Sequence, residues 1–264
     1  MKGFGDNKSL SSDKFNNPKN DKDLLLKSKL DFAKNCLIAG DVSQAEKIYS
    51  QLINNGFISY DLFFSYALLS RNRSNFKFAK KLLTLSISKY PIKIDHYILL
   101  AEIYRLEKDF KKAQELLLTA FKINPRNSNT AYNFSLLYRD LGKNEDALSI
   151  LNKAIKLMPN NYVYKLLKAD LLKDLGDFDE STSILLDLYS DKNTNDKKDI
   201  LLMLSTVKRL EKKFDEAENM LLESIKDYPD FSQAYLNLSD LYFENKKPIK
   251  AKEIALKGLD VNSK

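Results

Sequence analysis

An all-α protein built as a solenoid of stacked helix pairs is what this sequence predicts, and three observations carry the prediction. Small residues recur at a fixed period, prolines punctuate at the same period, and glycine (7) and proline (6) are too scarce for a strand-and-turn protein of 264 residues. Ala33, Ala67, Ala101, Ser135, Ala169, Ser205 and Ser239 step by 34 four times, then by 36, then by 34. Ala45, Ala79, Ala113, Ala147, Ser181, Ala217 and Ala251 each follow twelve residues later. Two helices cross tightly only where side chains are no larger than a methyl or hydroxymethyl group, so phased pairs of small residues mark repeated crossings.

The flanking residues fit this reading. Tyr97, Leu100, Tyr104, Phe110 and Leu117, then Phe134, Leu137, Tyr138 and Leu151, are large and are spaced by three, four and seven, as one helical face requires. Gly40, Gly142 and Gly176 stand in AGD, LGK and LGD between the two helices of a pair, where a left-handed residue ends a helix. Pro91, Pro125, Pro159 and Pro229 stop the second helix of four pairs.

Runs such as AEIYRLEKDFKKAQELLLTAFKINP and LLYRDLGKNEDALSILNKAIKLMPN resemble tetratricopeptide repeats, whose 34-residue period this is. The resemblance implies a right-handed α-solenoid of antiparallel helix pairs over residues 26–264. The units fall at 26–59, 60–93, 94–127, 128–161, 162–195, 198–231 and 232–264. Residues 1–25 are rich in Lys, Asn, Asp and Ser and are expected to be a disordered polar tail. The stretch SDKNTNDK at 190–197 holds the two extra residues, so slack or a bend is expected there. Lys168 and Lys208 stand where the family usually has leucine and tyrosine, and Cys36 where it packs tyrosine. The two lysines are expected to snorkel, with weaker packing, and Cys36 to be a small core residue. No polar-faced capping helix follows Ile249, Ile254 and Leu256, so a homo-oligomer through the C-terminal helix enters as one expectation.

The functional inventory is short. The formal charge of +7 is carried by interspersed Lys, Arg, Asp and Glu, which reads as solvated helix faces rather than a nucleic-acid footprint. One cysteine excludes an internal disulfide, and His96, the one histidine, is far in sequence from Cys36. No phosphate-binding glycine loop, HExxH or CxxC is present. The expectation is therefore a non-enzyme with no catalytic residue, no cofactor and no metal. The first twenty residues hold no apolar run suited to a signal or an anchor, so a cytoplasmic chain without membrane insertion is expected.

In the proteins this sequence resembles, the first helices of successive units line a concave groove for an extended peptide or a helix of a partner protein. Carried onto this sequence, the groove has an apolar row of Leu30, Phe64, Ile98, Tyr132, Leu166, Leu202 and Leu236. A basic row of Arg71, Arg105, Arg139, Lys173 and Arg209 would suit an acidic or carboxylate-bearing segment. Asn133 and Asn237 stand where peptide-binding members carry an asparagine for ligand backbone. The basic row has a second explanation, because a cation in the last turn of a helix is favoured by the macrodipole, and Glu102, Asp140, Asp170 and Asp174 stand ready to neutralise it. A scaffold or adaptor that binds another protein is the leading expectation. An RNA-binding repeat using Tyr60, Tyr132 and Tyr162, or a structural subunit assembling through the C-terminal end, are the alternatives.

Overall fold

The computed structural model describes residues 18–191, 194 and 196–262. Its regular structure is helical throughout, with fourteen helices among the described residues. The first pair is α1 (Pro18–Ile38) and α2 (Val42–Asn54), the second α3 (Tyr60–Asn72) and α4 (Phe76–Lys89). The third is α5 (Ile94–Leu106) and α6 (Phe110–Ile123), the fourth α7 (Ser128–Asp140) and α8 (Asn144–Leu157), the fifth α9 (Tyr162–Leu175) and α10 (Phe178–Ser190). The sixth is α11 (Lys197–Leu210) and α12 (Phe214–Asp227), the seventh α13 (Ser232–Glu244) and α14 (Pro248–Asn262). The chain forms two compact units, one ending at Ile103 and the other beginning at Tyr104, so the boundary falls inside α5.

Helix α1 starts at Pro18, inside the stretch expected to be a polar tail, and residues 18–25 are its first two turns. Proline suits this first position, since its fixed φ is already helical and its missing N–H has no partner to lose. Residues 1–17 of the expected tail lie outside the described residues. The expected joint at 190–197 falls between α10 and α11, and three of its residues also lie outside them.

The two series of small residues form the crossings. In the first unit Ala33, Ala45, Ala67 and Ala79 are completely buried. In the second, Ala113, Ser135, Ala147, Ala169, Ser181 and Ala217 are buried to the same degree. Two serines show that the series face each other. Ser181 Oγ donates to the Ala169 carbonyl at 2.8 Å, and Ser239 Oγ to the Ala251 carbonyl at 2.9 Å, each across the twelve-residue offset. Large apolar side chains fill in around these points, as where Leu151, Tyr164, Leu167 and Leu171 close on Ala147 and Ala154.

The turn within each pair needs a left-handed residue. Glycine supplies it at Gly40, Gly142 and Gly176, with φ of 82°, 72° and 84°. At the same phase of the other four pairs Ser74, Lys108, Lys212 and Lys246 take φ of 56° to 62° in spite of their side chains. Packing of the pair therefore imposes the turn, and the residue only sets its cost.

The lysines at family-apolar positions are held by carboxylates. Lys168 Nζ lies 2.6 Å from Glu180 of the paired helix. Lys208 is buried, with its ammonium 2.8 Å from Glu211 and 3.7 Å from Glu216. Hydrogen bonds from Lys208 and from Lys213 hold the Glu211 carboxyl below the usual carboxylate range. Cys36 is a buried free thiol. On α14, Ala251 is buried and Ile254 packs against the core of the last pair, whereas Ile249 and Leu256 are exposed.

Candidate partner-binding face

Three of the first helices begin at a short polar cap. Ser59, Asn127 and Asn161 accept the backbone N–H of Leu62, Thr130 and Tyr164, which starts α3, α7 and α9 at one phase of the repeat. Seven residues into the pattern beyond the apolar row, the basic row falls in the last turn of these helices, where the macrodipole favours a cation.

The four arginines of the basic row each pair with a carboxylate on the next first helix, and Lys173 pairs with two on its own. In the second unit Arg105 Nη1 lies 2.5 Å from Asp140, and Arg139 Nη1 lies 3.3 Å from Asp170. Arg139 Nε is also 3.8 Å from Asp140, and Lys173 Nζ is 2.6 Å from Asp170 and 3.2 Å from Asp174. Three cations and three carboxylates thus alternate across α5, α7 and α9. Arg209 reaches Glu244 of α13 at 3.0 Å. In the first unit Arg71 reaches Glu102 at 3.4 Å. Burial disfavours the Lys173 ammonium, but Asp170 and Asp174 outweigh it and raise its pKa above the ordinary lysine value.

The apolar row is graded in exposure. In the second unit Tyr132, Leu166 and Leu202 are half-buried, and Leu236 is 52% exposed. Phe243, one helical face further along α13, is 72% exposed. In the first unit Phe64 is half-buried, but Leu30 and Ile98 are buried, which leaves them little surface to offer. Ile98 is covered because α5 is apolar nearly all round and buries His96 through Ala101 as well as Ile103. The two asparagines bond within their own helices. Asn133 Nδ2 donates to the Asn129 carbonyl at 2.9 Å, and Asn237 Oδ1 accepts from Gln233 at 2.9 Å.

Comparison with known proteins places this arrangement. Residues 209–254 match the tetratricopeptide-repeat family, and residues 76–154 match the family described as anaphase-promoting complex, cyclosome, subunit 3. A solved tetratricopeptide repeat protein from Parabacteroides merdae superposes with a TM-score of 0.70 at 17% identity, over 89% of this chain and 93% of that one. The chain has the tetratricopeptide-repeat fold. A solved anaphase-promoting complex assembly, Cut9–Hcn1, superposes with a TM-score of 0.71 at 14% identity, over 87% of this chain and 45% of the other. The human protein O-mannosyl-transferase TMTC3 is 33% identical over 60 residues, which are 23% of this chain and 7% of that protein. Likeness at these identities speaks to the fold, and such repeats typically form non-catalytic scaffolds that bind other proteins.

The first unit also carries a buried group on a first helix, whose setting the sequence does not reveal. His96 is completely buried, its ring 4.6 Å from that of Tyr60 and 5.5 Å from that of Phe64, with Ser86 Oγ 3.1 Å from Nδ1. Burial pushes the imidazole pKa down to about 4 against the pull of nearby Asp95, so the ring is neutral at pH 7. The Tyr60 hydroxyl donates to Asp95 at 2.5 Å, and burial together with that carboxylate raises the phenol's pKa. The sequence did hold a signal for the charged seam, since a carboxylate follows Arg71, Arg105, Arg139 and Arg209 by 31 or 35 residues. No comparable period marks the seam at His96. Among the described residues, no group of three or more His, Cys, Asp or Glu is placed to hold a metal ion, and no helix is long and apolar enough to cross a membrane.

Proposed function

We propose that this chain is a protein-binding scaffold whose first-helix face takes a peptide or helical segment of a partner protein. The observation that carries the reading is the row of Tyr132, Leu166, Leu202 and Leu236, which recurs at one phase of four successive first helices yet stays partly open to solvent. A core does not need these side chains half-exposed, and an amphipathic partner helix or an extended segment covers such a row in recognition of this type. Phe64 extends the same chemistry in the first unit. Asn133 and Asn237 lie beside the row and would turn to ligand backbone by exchanging their bonds within the helix. Arg105, Arg139, Lys173 and Arg209 form its border, and Arg71 holds the same repeat phase beyond Phe64 in the first unit. An acidic segment gains from them only by competing with the carboxylates they already hold, so apolar contact supplies most of the affinity and charge supplies orientation.

The test is capture of partners from lysate, with and without nuclease, on immobilised wild-type protein beside a Leu202→Asp, Leu236→Asp variant of unchanged helix content. A discrete protein retained by the wild type and lost from the variant supports the reading. Equal retention by both, or retention that disappears with nuclease, refutes it.

A further inference from the structure

The formal charge of +7 is not spread evenly. Between Asp61 and Asp95 the chain has seven cations and no carboxylate, and this stretch is α3, α4 and the turns around them. The two arginines in it are engaged, Arg71 with Glu102 and Arg73 with Glu46. Lys93 sits over the Tyr60 ring, 4.9 Å from its centroid. Lys77, Lys81 and Lys89 of α4 are exposed and have no carboxylate partner among the described residues.

Their placement differs from the openings of three other second helices. A helix N-terminus favours anions, and α8, α10 and α12 carry Glu145 and Asp146, Asp179 and Glu180, and Asp215 and Glu216 in their first turns, whereas α2, α6 and α14 carry none. The opening of α4 has no acid and presents Lys77, then Lys80 and Lys81. Lys77 and Lys81 there have no carboxylate partner among the described residues, so the exposed stripe keeps its positive charge. The geometry of the helix agrees. Ala79, Leu82, Leu83 and Ser86 face the core, so Lys77, Lys81, Thr84 and Ser88 form the outer stripe. Two aliphatic side chains border it, Leu85 at 44% exposure and Ile92, in the turn after the helix, at 74%.

We propose that this outer stripe of α4 docks the chain on an anionic lipid bilayer. The chemistry of the patch selects this partner. Its uncommitted cations are lysines, compact point charges that respond to charge density and offer no fixed fork for a carboxylate or phosphate pair. No aromatic ring lies on the stripe to stack a base, and no groove or aromatic anchor is there to seat a folded protein. A bilayer rich in phosphatidylserine supplies a dense negative field for the lysines and a headgroup layer into which Ile92 and Leu85 insert. The stripe shares no residue with the first-helix rows, so variants of the two fail separately.

Full-length protein is sedimented with phosphatidylcholine vesicles, and with vesicles in which about 30% of the lipid is phosphatidylserine. The expected result is binding to the anionic vesicles alone, reversed by raising the salt to about 0.5 M. A Lys77→Glu, Lys81→Glu, Lys89→Glu variant with wild-type circular dichroism binds roughly a hundredfold more weakly or not at all. Ile92→Ser weakens binding several-fold while leaving the salt dependence unchanged. The proposal is overturned if the wild type ignores anionic vesicles or if the triple charge reversal binds as the wild type does. It is equally overturned if a single-stranded RNA at matched phosphate concentration displaces the protein from the vesicles and binds it tightly by itself.

Discussion

Successive first helices are joined by different chemistry in the two units of this chain. In the first unit a neutral buried histidine is wedged between Tyr60 and Phe64 and bonded to Ser86, with a single ion pair, Arg71 to Glu102, nearby in the repeat. In the second, Arg105, Asp140, Arg139, Asp170 and Lys173 form a continuous alternation of charge. The repeat phase and the small-residue crossings are common to both. What differs is how each seam responds to its surroundings: the first to protons, the second to salt and to the loss of one shared carboxylate.

Acidification should break the first seam with the largest effect. An unfolded histidine takes up a proton below about pH 6.5, whereas His96 in the fold does so only near 4. Stability is therefore full above pH 6.5 and falls as the pH drops through this window, by up to about 3 kcal/mol. Urea unfolding followed by circular dichroism at pH 7 and pH 4.5 reads this loss, and His96→Leu should flatten that part of the profile.

In the second seam Asp170 serves both Arg139 and Lys173, at 3.3 and 2.6 Å. Asp170→Asn leaves two partly buried cations short of a partner and should cost roughly 1–2 kcal/mol, more than an isolated surface pair. The same unfolding measurement at low and high salt should show the difference between variant and wild type shrinking as salt rises. Ile98, His96 and Tyr60 lie outside this network, so the pH effect at His96 should survive the substitution unchanged.

The smallest expected effect touches neither seam. Lys108 and Lys212 hold left-handed backbone at φ 62°. Lys108→Gly and Lys212→Gly should each stabilise by up to about 1 kcal/mol, which a rise in the thermal midpoint would report. A loss of stability at either position would mean that its side chain contributes contacts exceeding the conformational cost.

These sites also show how far the sequence could be read. The crossings were legible because only small residues fit there, and a period of 34 made them unmistakable. Gly40, Gly142 and Gly176 were legible as turns, but Ser74, Lys108, Lys212 and Lys246 were not, because packing overrides their local preference. The opening of α1 at Pro18 was hidden by polar composition, which obscures a helix that begins ahead of its first buried side chain at Leu26. The basic row was visible as a row, and its carboxylates at Glu102, Asp140 and Asp170 were visible as candidates, but which oxygen meets which nitrogen is settled by tertiary placement. The burial of His96 was not legible, because nothing in its neighbourhood of sequence reports the rings that enclose it.

The central claim is that the basic row joins one first helix to the next, leaving the apolar row as the main surface for a partner. A double-mutant cycle on Arg139 and Asp170 tests it most directly, with the single variants Arg139→Asp and Asp170→Arg, the swapped pair, and urea unfolding at low salt. The account predicts that each single variant is destabilised and that the swap recovers about 1 kcal/mol or more beyond additivity. Strictly additive losses, with no recovery in the swapped pair, would contradict it.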